Sequence, residues 1–86
     1  METGEIEFED DVSLMCRVQK SGDVAAFALL AARYRGPLKR FFAILLPNTD
    51  QSDDFAQETL LRLWLVRERY RPTGNFSAYV FQIARH

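Results

Sequence analysis

The clearest helical pattern in the chain spans residues 53–70, where apolar positions fall on two faces. This stretch, DDFAQETLLRLWLVRERY, lacks Gly and Pro and is rich in Leu, Glu, Arg and Gln, which predicts a helix. With about 100° of rotation per residue, Ala56, Leu60 and Leu63 share one side. The opposite side carries two acids and then two leucines: Asp54, Glu58, Leu61 and Leu65. A buried face would not hold two unpaired acids, and a solvated face would not need the leucines, so we interpret this second face as a docking surface.

The sequence before this segment predicts two helices with acidic caps. Asp10 or Asp11 can cap a helix from Val12 to about Lys20, and Asp23 can cap a longer one from Val24 to about Leu46. Because the proline of Gly36-Pro37 lacks a backbone N–H and clashes with the preceding turn, we expect a kink or break near residues 33–35. The longer helix supplies the main core positions, which are Phe27, Leu30, Ala31, Tyr34, Leu38, Phe41, Phe42 and Leu45.

A turn and a loop complete the predicted elements. The turn at residues 47–50 leads into the helix of residues 53–70, with Thr49, Asp50 or Ser52 as its cap. The loop at residues 71–75 precedes a last helix, residues 76–86, which Asn75 or Ser77 can cap and which carries Phe76, Val80 and Ile83 on one face. No stretch alternates as a strand does, so the predicted fold class is all-α, a small bundle of three to four helices.

Residues 1–9 are predicted to be a flexible acidic tail, and residues 10–86 a single domain. The sequence stops inside the last predicted helix, with no glycine and no capping residue, so we expect a domain excised from a longer protein.

Charge is distributed unevenly along the chain, although the net charge is only −1. Six of the 12 acids lie within residues 1–11, so residues 12–86 carry all 11 bases against six acids. From Arg62 onward five arginines stand against Glu68 alone. A basic C-terminal third is a modest indication of a polyanionic partner.

The composition also excludes several classes of protein. No apolar run approaches the roughly 20 residues of a membrane span. The single cysteine, Cys16, excludes an internal disulfide and fits a reducing cytoplasm. The only histidine is His86, and no nucleophile with a base, phosphate loop or metal-ligand cluster occurs, so we predict neither catalysis nor a cofactor nor a metal.

The C-terminal segment interleaves cations, aromatic rings and amides around the predicted loop. Cations can follow the phosphates of a single-stranded nucleic acid, and aromatic rings can stack on its bases. Asn and Gln side chains can read base edges. The residues concerned are Arg69, Tyr70, Arg71, Asn75, Phe76, Tyr79, Gln82 and Arg85, of which Phe76 also fits a core position.

Three sequence blocks, GDVAAFALLAARY, DDFAQETLLRLW and YRPTGNFSAYVFQIARH, resemble region 2 of bacterial RNA polymerase sigma factors. The similarity covers roughly residues 10–86 and is strongest to the extracytoplasmic-function (ECF) group. It implies that Asp54, Gln57 and Glu58 dock on the clamp helices of the polymerase beta-prime subunit, and our helical geometry extends this patch to Leu61 and Leu65.

The same resemblance implies that the loop and last helix recognise and melt the promoter minus-ten element, with a base of the non-template strand flipped into a pocket. This role falls on residues 71–75, including Thr73, and on Phe76, Ser77 and Tyr79. Many members of the group carry a tryptophan where this chain has Tyr79. The tandem tryptophans of primary sigma factors are Gln82 and Ile83 here, which implies weaker melting and stricter promoter choice.

The resemblance also implies a cytoplasmic protein that an anti-sigma protein covers on these surfaces. The second domain of the group, region 4, has no counterpart in this sequence. A different hypothesis remains open: a helical protein-interaction adaptor, or an anti-sigma-binding module, without promoter activity. Preference among single-stranded oligonucleotides would distinguish the two.

Overall fold

Four α-helices account for most of residues 8–86, the part of the chain that the computed structural model describes. They are α1 (Asp11–Ser21), α2 (Val24–Leu45), α3 (Ser52–Leu65) and α4 (Phe76–Ala84). Two 3₁₀ turns, Thr49–Gln51 and Arg67–Arg69, precede and follow α3. No strand occurs among these residues, which confirms the predicted all-α bundle.

Three of the four helices begin at a side-chain cap that the sequence predicted. Asp10 accepts a backbone N–H at 2.8 Å, Asp23 at 3.0 Å and Asn75 at 3.1 Å, in each case from the residue three positions further on. These acceptors satisfy N–H groups that a helix start leaves without a partner. Gly22 ends α1 with a φ of 62°, a conformation in which a side chain would be strained.

α3 begins without the predicted cap, so the assignment of that role to Thr49, Asp50 or Ser52 is wrong. The first 3₁₀ turn runs directly into the helix, and Asn48 caps this turn by accepting the N–H of Asp50 at 2.9 Å. The buried Ser52 hydroxyl instead donates to the Thr49 carbonyl at 2.7 Å. Because the helical course starts earlier than predicted, the capping position moves back to Asn48.

α2 runs unbroken through Pro37, and the predicted break near residues 33–35 is absent. Tyr34 and Leu38 lie on either side of the proline and are both buried. Their packing in the core holds the helical course that proline by itself disfavours. Leu45 was predicted to be a core residue but is 61% exposed at the last position of α2.

α3 ends at Leu65, well before the predicted end at residue 70. Val66 leaves the helix with φ −102° and ψ 16°, and the second 3₁₀ turn follows. This change of course buries Tyr70 between α1 and α4. Burying an aromatic ring is worth more than the few tenths of a kcal/mol per residue by which helix propensities differ, about 1.5–3 kcal/mol for a large apolar side chain.

The core lies between α2 and the other three helices. α2 packs against α1 and α3, and α4 packs against α3. Edge-to-face ring contacts also join α2 to α4, between Phe41 and Phe81 at 5.3 Å and between Tyr34 and Phe76 at 5.6 Å. The buried apolar side chains of the helices are Leu14, Met15, Val18, Ala26, Leu30, Tyr34, Leu38, Phe42, Ala56, Leu60, Leu63, Phe76, Val80 and Ala84.

Of the predicted tail, residues 1–7 lie outside the described range, so its flexibility stays a prediction. The guanidinium of Arg33 lies 4.2 Å from the ring centre of Phe8, and the Glu9 carboxylate pairs with Arg17. Among the residues described, no helix combines the length and apolar character that crossing a membrane requires.

Candidate functional site

A cavity of about 370 Å³ opens between the loop after the second 3₁₀ turn and the first turns of α4. Its lining combines three kinds of side chain: arginines at the rim, aromatic rings and amides. The lining residues are Arg69, Tyr70, Arg71, Thr73, Gly74, Asn75, Phe76, Ala78, Tyr79 and Gln82. Eight of these belong to the predicted nucleic-acid set, so the fold brings most of that set together at one place.

Aromatic rings form the inner wall of this cavity. Tyr70 and Phe76 are only 2% and 5% exposed, and their ring centres lie 5.8 Å apart. Tyr79 is half-buried, with its ring centre 5.2 Å from that of Tyr70. Two of the three rings are therefore part of the core, and Tyr79 is the one whose ring is still accessible to a stacking base.

Burial raises the pKa of the Tyr70 and Tyr79 phenols above the ordinary tyrosine value. A tyrosine hydroxyl is protonated at neutral pH even at its ordinary pKa, so both groups are available as hydrogen-bond donors. The positive charge of Arg69, which lines the same cavity, opposes the upward shift of the Tyr79 pKa.

The loop geometry places Asn75 at the junction between the cavity and α4. Gly74 has a φ of 89°, which favours glycine because a side chain would be strained there. The side-chain Oδ1 of Asn75 caps α4 by accepting the N–H of Ala78. Its amide N–H groups are the part of the side chain that can still donate to a ligand.

Two of the predicted nucleic-acid residues do not line the cavity. Ser77 lies next to the hydroxyl of Tyr34, on the core side of α4. The Arg85 guanidinium lies 5.9 Å from the ring centre of Phe41. Ser77 is close to the loop in sequence but lies on a different face of α4, and Arg85 lies at the far end of that helix.

A second hollow continues along α4 towards its C-terminal end and shares Arg69, Tyr79 and Gln82 with the first. Four residues of this extension were not in the predicted set: the apolar Val66 and Ile83, and the polar Arg62 and His86. The Nε of Arg62 is buried and has no hydrogen-bond partner within residues 8–86. The excess of arginines after residue 61 was the available signal, but it did not indicate which of them share a groove.

The predicted docking face on α3 is exposed along its length. Asp54, Gln57 and Glu58 lie at the surface, and Leu61 and Leu65 are 54% and 65% exposed. A shallow hollow of about 320 Å³ lies at its acidic end, where Asp54, Phe55, Glu58 and Arg62 line it. The half-exposed ring of Phe55 was not predicted as part of this face.

The neighbouring acid Asp53 has a different environment. Both of its carboxylate oxygens accept from Arg35 at 3.3 Å. This side-chain hydrogen bond is the main cause that lowers the pKa of Asp53. Asp54 and Glu58 make no ion pair with any residue from 8 to 86, so their charges face outward.

Fold and surfaces together define a small all-helical domain with an acidic and leucine-rich face on one helix and a basic, aromatic cavity on the next. The Sigma-70 region 2 family model matches residues 30–86, which is more than half of the chain. The chain therefore belongs to the Sigma-70 region 2 family, as the sequence blocks predicted.

Two known proteins are similar to this chain, one in sequence and one in structure. The chain is 43% identical over 51 residues to the ECF RNA polymerase sigma factor EcfG of Rhodopseudomonas palustris (strain TIE-1). This match covers 58% of the chain and 28% of that relative, so the chain matches well under half of the length of this curated protein.

The structure is also similar to an engineered region 2 of sigmaE, solved by NMR in complex with GTAAAA. The TM-score is 0.82 at 28% sequence identity, over 94% of this chain and 83% of the solved one. This similarity includes much of α1 and the start of α2, which the family model does not cover.

Proposed function

We propose that this domain acts in bacterial transcription initiation, where it binds RNA polymerase through α3 and the promoter minus-ten element through the cavity at α4. The observation that carries the proposal is the cavity itself, in which arginines, an accessible tyrosine and an outward asparagine amide surround one space. The similar sigmaE domain was solved with the oligonucleotide GTAAAA. Such a role belongs to the bacterial cytoplasm.

The size and lining of the cavity suit a single base taken out of the stack. The Tyr79 ring offers a stacking surface, and stacking of a base on an aromatic ring contributes about 1–3 kcal/mol. Asn75 and Gln82 can donate to base edges, while Arg69 and Arg71 at the rim attract the phosphates on either side. In this proposal the non-template strand crosses the rim of the cavity and places one base inside.

The groove along α4 indicates the path of the strand beyond the cavity. It continues from Arg69 past Gln82 towards Arg62 and His86, so the strand meets a further arginine beyond the cavity. Gln82 and Ile83 lack the large rings that would wedge between base pairs. We therefore propose that this domain holds a separated strand more effectively than it separates one.

The exposed face of α3 is the proposed site for the beta-prime clamp helices. Asp54 and Glu58 lie one turn apart and face outward, and Leu61 and Leu65 add apolar area in line with them. Outward carboxylates select a basic partner surface, and the leucines give affinity when they are covered. The same surface suits an anti-sigma protein, which would compete with polymerase for it.

Titration of single-stranded oligonucleotides tests the nucleic-acid part of the proposal. The fluorescently labelled probes are GTAAAA and a set in which each of its bases is replaced in turn. We expect the domain to discriminate among them and Tyr79→Ala to weaken the tightest complex by about 5- to 150-fold, the equivalent of one lost stacking contact.

Tyr79→Phe is the matched variant, because it keeps the ring and removes only the hydroxyl. It should retain most of the affinity that Tyr79→Ala loses. Equal binding of every probe by the unmodified domain would instead favour the adaptor hypothesis, in which the α3 face acts without promoter recognition.

A further inference from the structure

Gln19 of α1 makes an unusual set of hydrogen bonds to a distant part of the chain. Its side-chain Nε2 lies 3.1 Å from the carbonyl oxygen of Arg67, 3.2 Å from that of Glu68 and 2.8 Å from that of Tyr70. An amide nitrogen carries two hydrogens, so three acceptors share them. One half-buried side chain thus binds three backbone groups that lie 48, 49 and 51 positions later in sequence.

These carbonyl groups belong to the segment that joins α3 to the cavity. The second 3₁₀ turn is held locally by two backbone bonds, from the Arg69 N–H to Val66 at 2.9 Å and from the Tyr70 N–H to Arg67 at 3.2 Å. A single 3₁₀ turn has poor hydrogen-bond geometry and leaves its own carbonyl groups without helical partners. Gln19 supplies a donor to the Glu68 and Tyr70 carbonyl groups, and a second donor to that of Arg67, which already accepts the Tyr70 N–H.

The position of this segment decides the shape of the cavity. Tyr70 contributes the buried ring against which Tyr79 packs, and Arg69 and Arg71 on either side of it supply the basic rim. A shift of the Tyr70 backbone would therefore move both arginines and the ring that supports Tyr79.

We propose that Gln19 is a positioning residue for the nucleic-acid cavity, although it does not touch the cavity and lies outside the range that the family model matches. It fixes the backbone of residues 67–70 in the conformation that positions the wall and rim of the cavity. This inference rests on the proposed nucleic-acid function. If Gln19 only stabilised the fold, its loss would lower the melting temperature without changing which oligonucleotide is preferred.

The test compares Gln19→Met with Gln19→Lys in the full chain. Methionine keeps the length and most of the volume of glutamine but has no donor, whereas the lysine ammonium has three donors for the three carbonyl groups. Lys20→Met is the control, because it introduces the same methionine at the exposed neighbouring position.

Two measurements are made on each variant. The first is amide hydrogen exchange at Arg69 and Tyr70, measured by NMR. The second is the affinity ratio between the tightest and weakest members of the GTAAAA probe set, a ratio in which a uniform electrostatic change cancels.

We expect Gln19→Met to accelerate the exchange at Arg69 and Tyr70 by about five- to tenfold and to reduce the affinity ratio by a similar factor. Gln19→Lys should restore both values, and Lys20→Met should change neither. Unchanged exchange in Gln19→Met would overturn the inference, and so would faster exchange with an undiminished affinity ratio.

Equal binding of all probes by the unmodified domain would contradict both the proposed function and this inference. That outcome is distinct from a domain that discriminates among the probes equally well with and without the Gln19 amide, which overturns the inference alone.

Discussion

At the residue scale, Tyr34 joins three helices through one side chain. Its hydroxyl donates to the Asp11 carboxylate of α1 at 2.6 Å, and its ring packs edge-to-face on Phe76 of α4. Asp11 also accepts from Arg33 at 2.8 Å, so the carboxylate is held from two sides. Burial, assisted by the hydrogen bond to Asp11, raises the pKa of Tyr34 to about 12.

This raised pKa predicts that the domain loses stability in alkaline solution. Because the Tyr34 pKa is about 12 in the folded state and about 10 when unfolded, its contribution is complete below pH 10 and is lost between pH 10 and 12. We expect a loss on the order of 2 kcal/mol in the free energy of unfolding across this range. Urea denaturation at a series of pH values measures it.

Tyr34→Phe is the control for this prediction, because it keeps the ring and cannot ionise. The Tyr70 and Tyr79 phenols also have raised pKa values and contribute to the alkaline loss in both proteins. The part assigned to Tyr34 is therefore the difference between the two pH profiles. Parallel profiles would contradict the assignment.

Asn75 combines a structural and a recognition role in one amide, and the two can be separated. Asn75→Asp keeps the oxygen that caps α4 and places a favourable negative charge at the helix start. It also removes the amide donors and puts that charge inside the cavity. We expect the melting temperature to be maintained while affinity for the preferred oligonucleotide falls by more than about tenfold.

Asn75→Ala completes the comparison, since it loses the cap and the donors together. It should lower both the affinity and the melting temperature, the latter through a loss of about 1 kcal/mol of stability. Circular dichroism and the probe titration measure the two effects on each variant. If Asn75→Asp bound as tightly as the unmodified domain, Asn75 would have no recognition role.

At the scale of the element, α3 uses two faces for two purposes. Ala56, Leu60 and Leu63 are buried in the bundle, whereas Leu61 and Leu65 face solvent. The helix is therefore held in place by one face and is free to present the other. Substitutions on the outer face should change partner binding without unfolding the domain.

Charge reversal tests the outer face. Asp54→Lys combined with Glu58→Lys should abolish binding to an isolated beta-prime clamp-helix fragment in a titration, because both outward carboxylates become cations. The matched control reverses two exposed acids away from this face, Asp50→Lys with Glu68→Lys. Equal affinity of the two double variants for the fragment would show that net charge, and not the α3 face, governs the interaction.

At the scale of the whole molecule, positive charge remains unpaired mainly in the C-terminal third. The ion pairs within residues 8–86 join Arg17, Arg33 and Arg35 to carboxylates of the N-terminal two thirds. None of the arginines from Arg62 onward pairs with a carboxylate in that range. The excess of positive charge is therefore concentrated in the part of the molecule that carries the cavity and its groove.

This distribution predicts how binding depends on salt. Each phosphate contact on a single strand contributes about 0.7 to the slope of log affinity against log salt concentration. Arg71→Ala should reduce that slope by about 0.7, since Arg71 lies at the rim of the cavity. Arg40→Ala changes an exposed position outside the groove and should leave the salt slope unchanged. Equal slopes in the two variants would show that Arg71 does not contact a phosphate.

The sequence by itself determined the features that depend on neighbours within a helical turn. Caps at Asp10, Asp23 and Asn75 follow from side chains three residues from the N–H groups they accept, and helical spacing identified the two faces of α3. Most cavity residues were predictable for the same reason, because one loop and two turns of helix place them together. Such interactions leave a local pattern that does not require the rest of the fold.

Only the tertiary structure decided the features that depend on contacts between distant parts of the chain. α3 ends at Leu65 because Tyr70 gains more by burial than by continuing the helix, and α2 passes through Pro37 because the core holds both sides of it. The bonds from Gln19 to Arg67, Glu68 and Tyr70 left no local pattern, because their geometry exists only once α1 and the second 3₁₀ turn lie side by side.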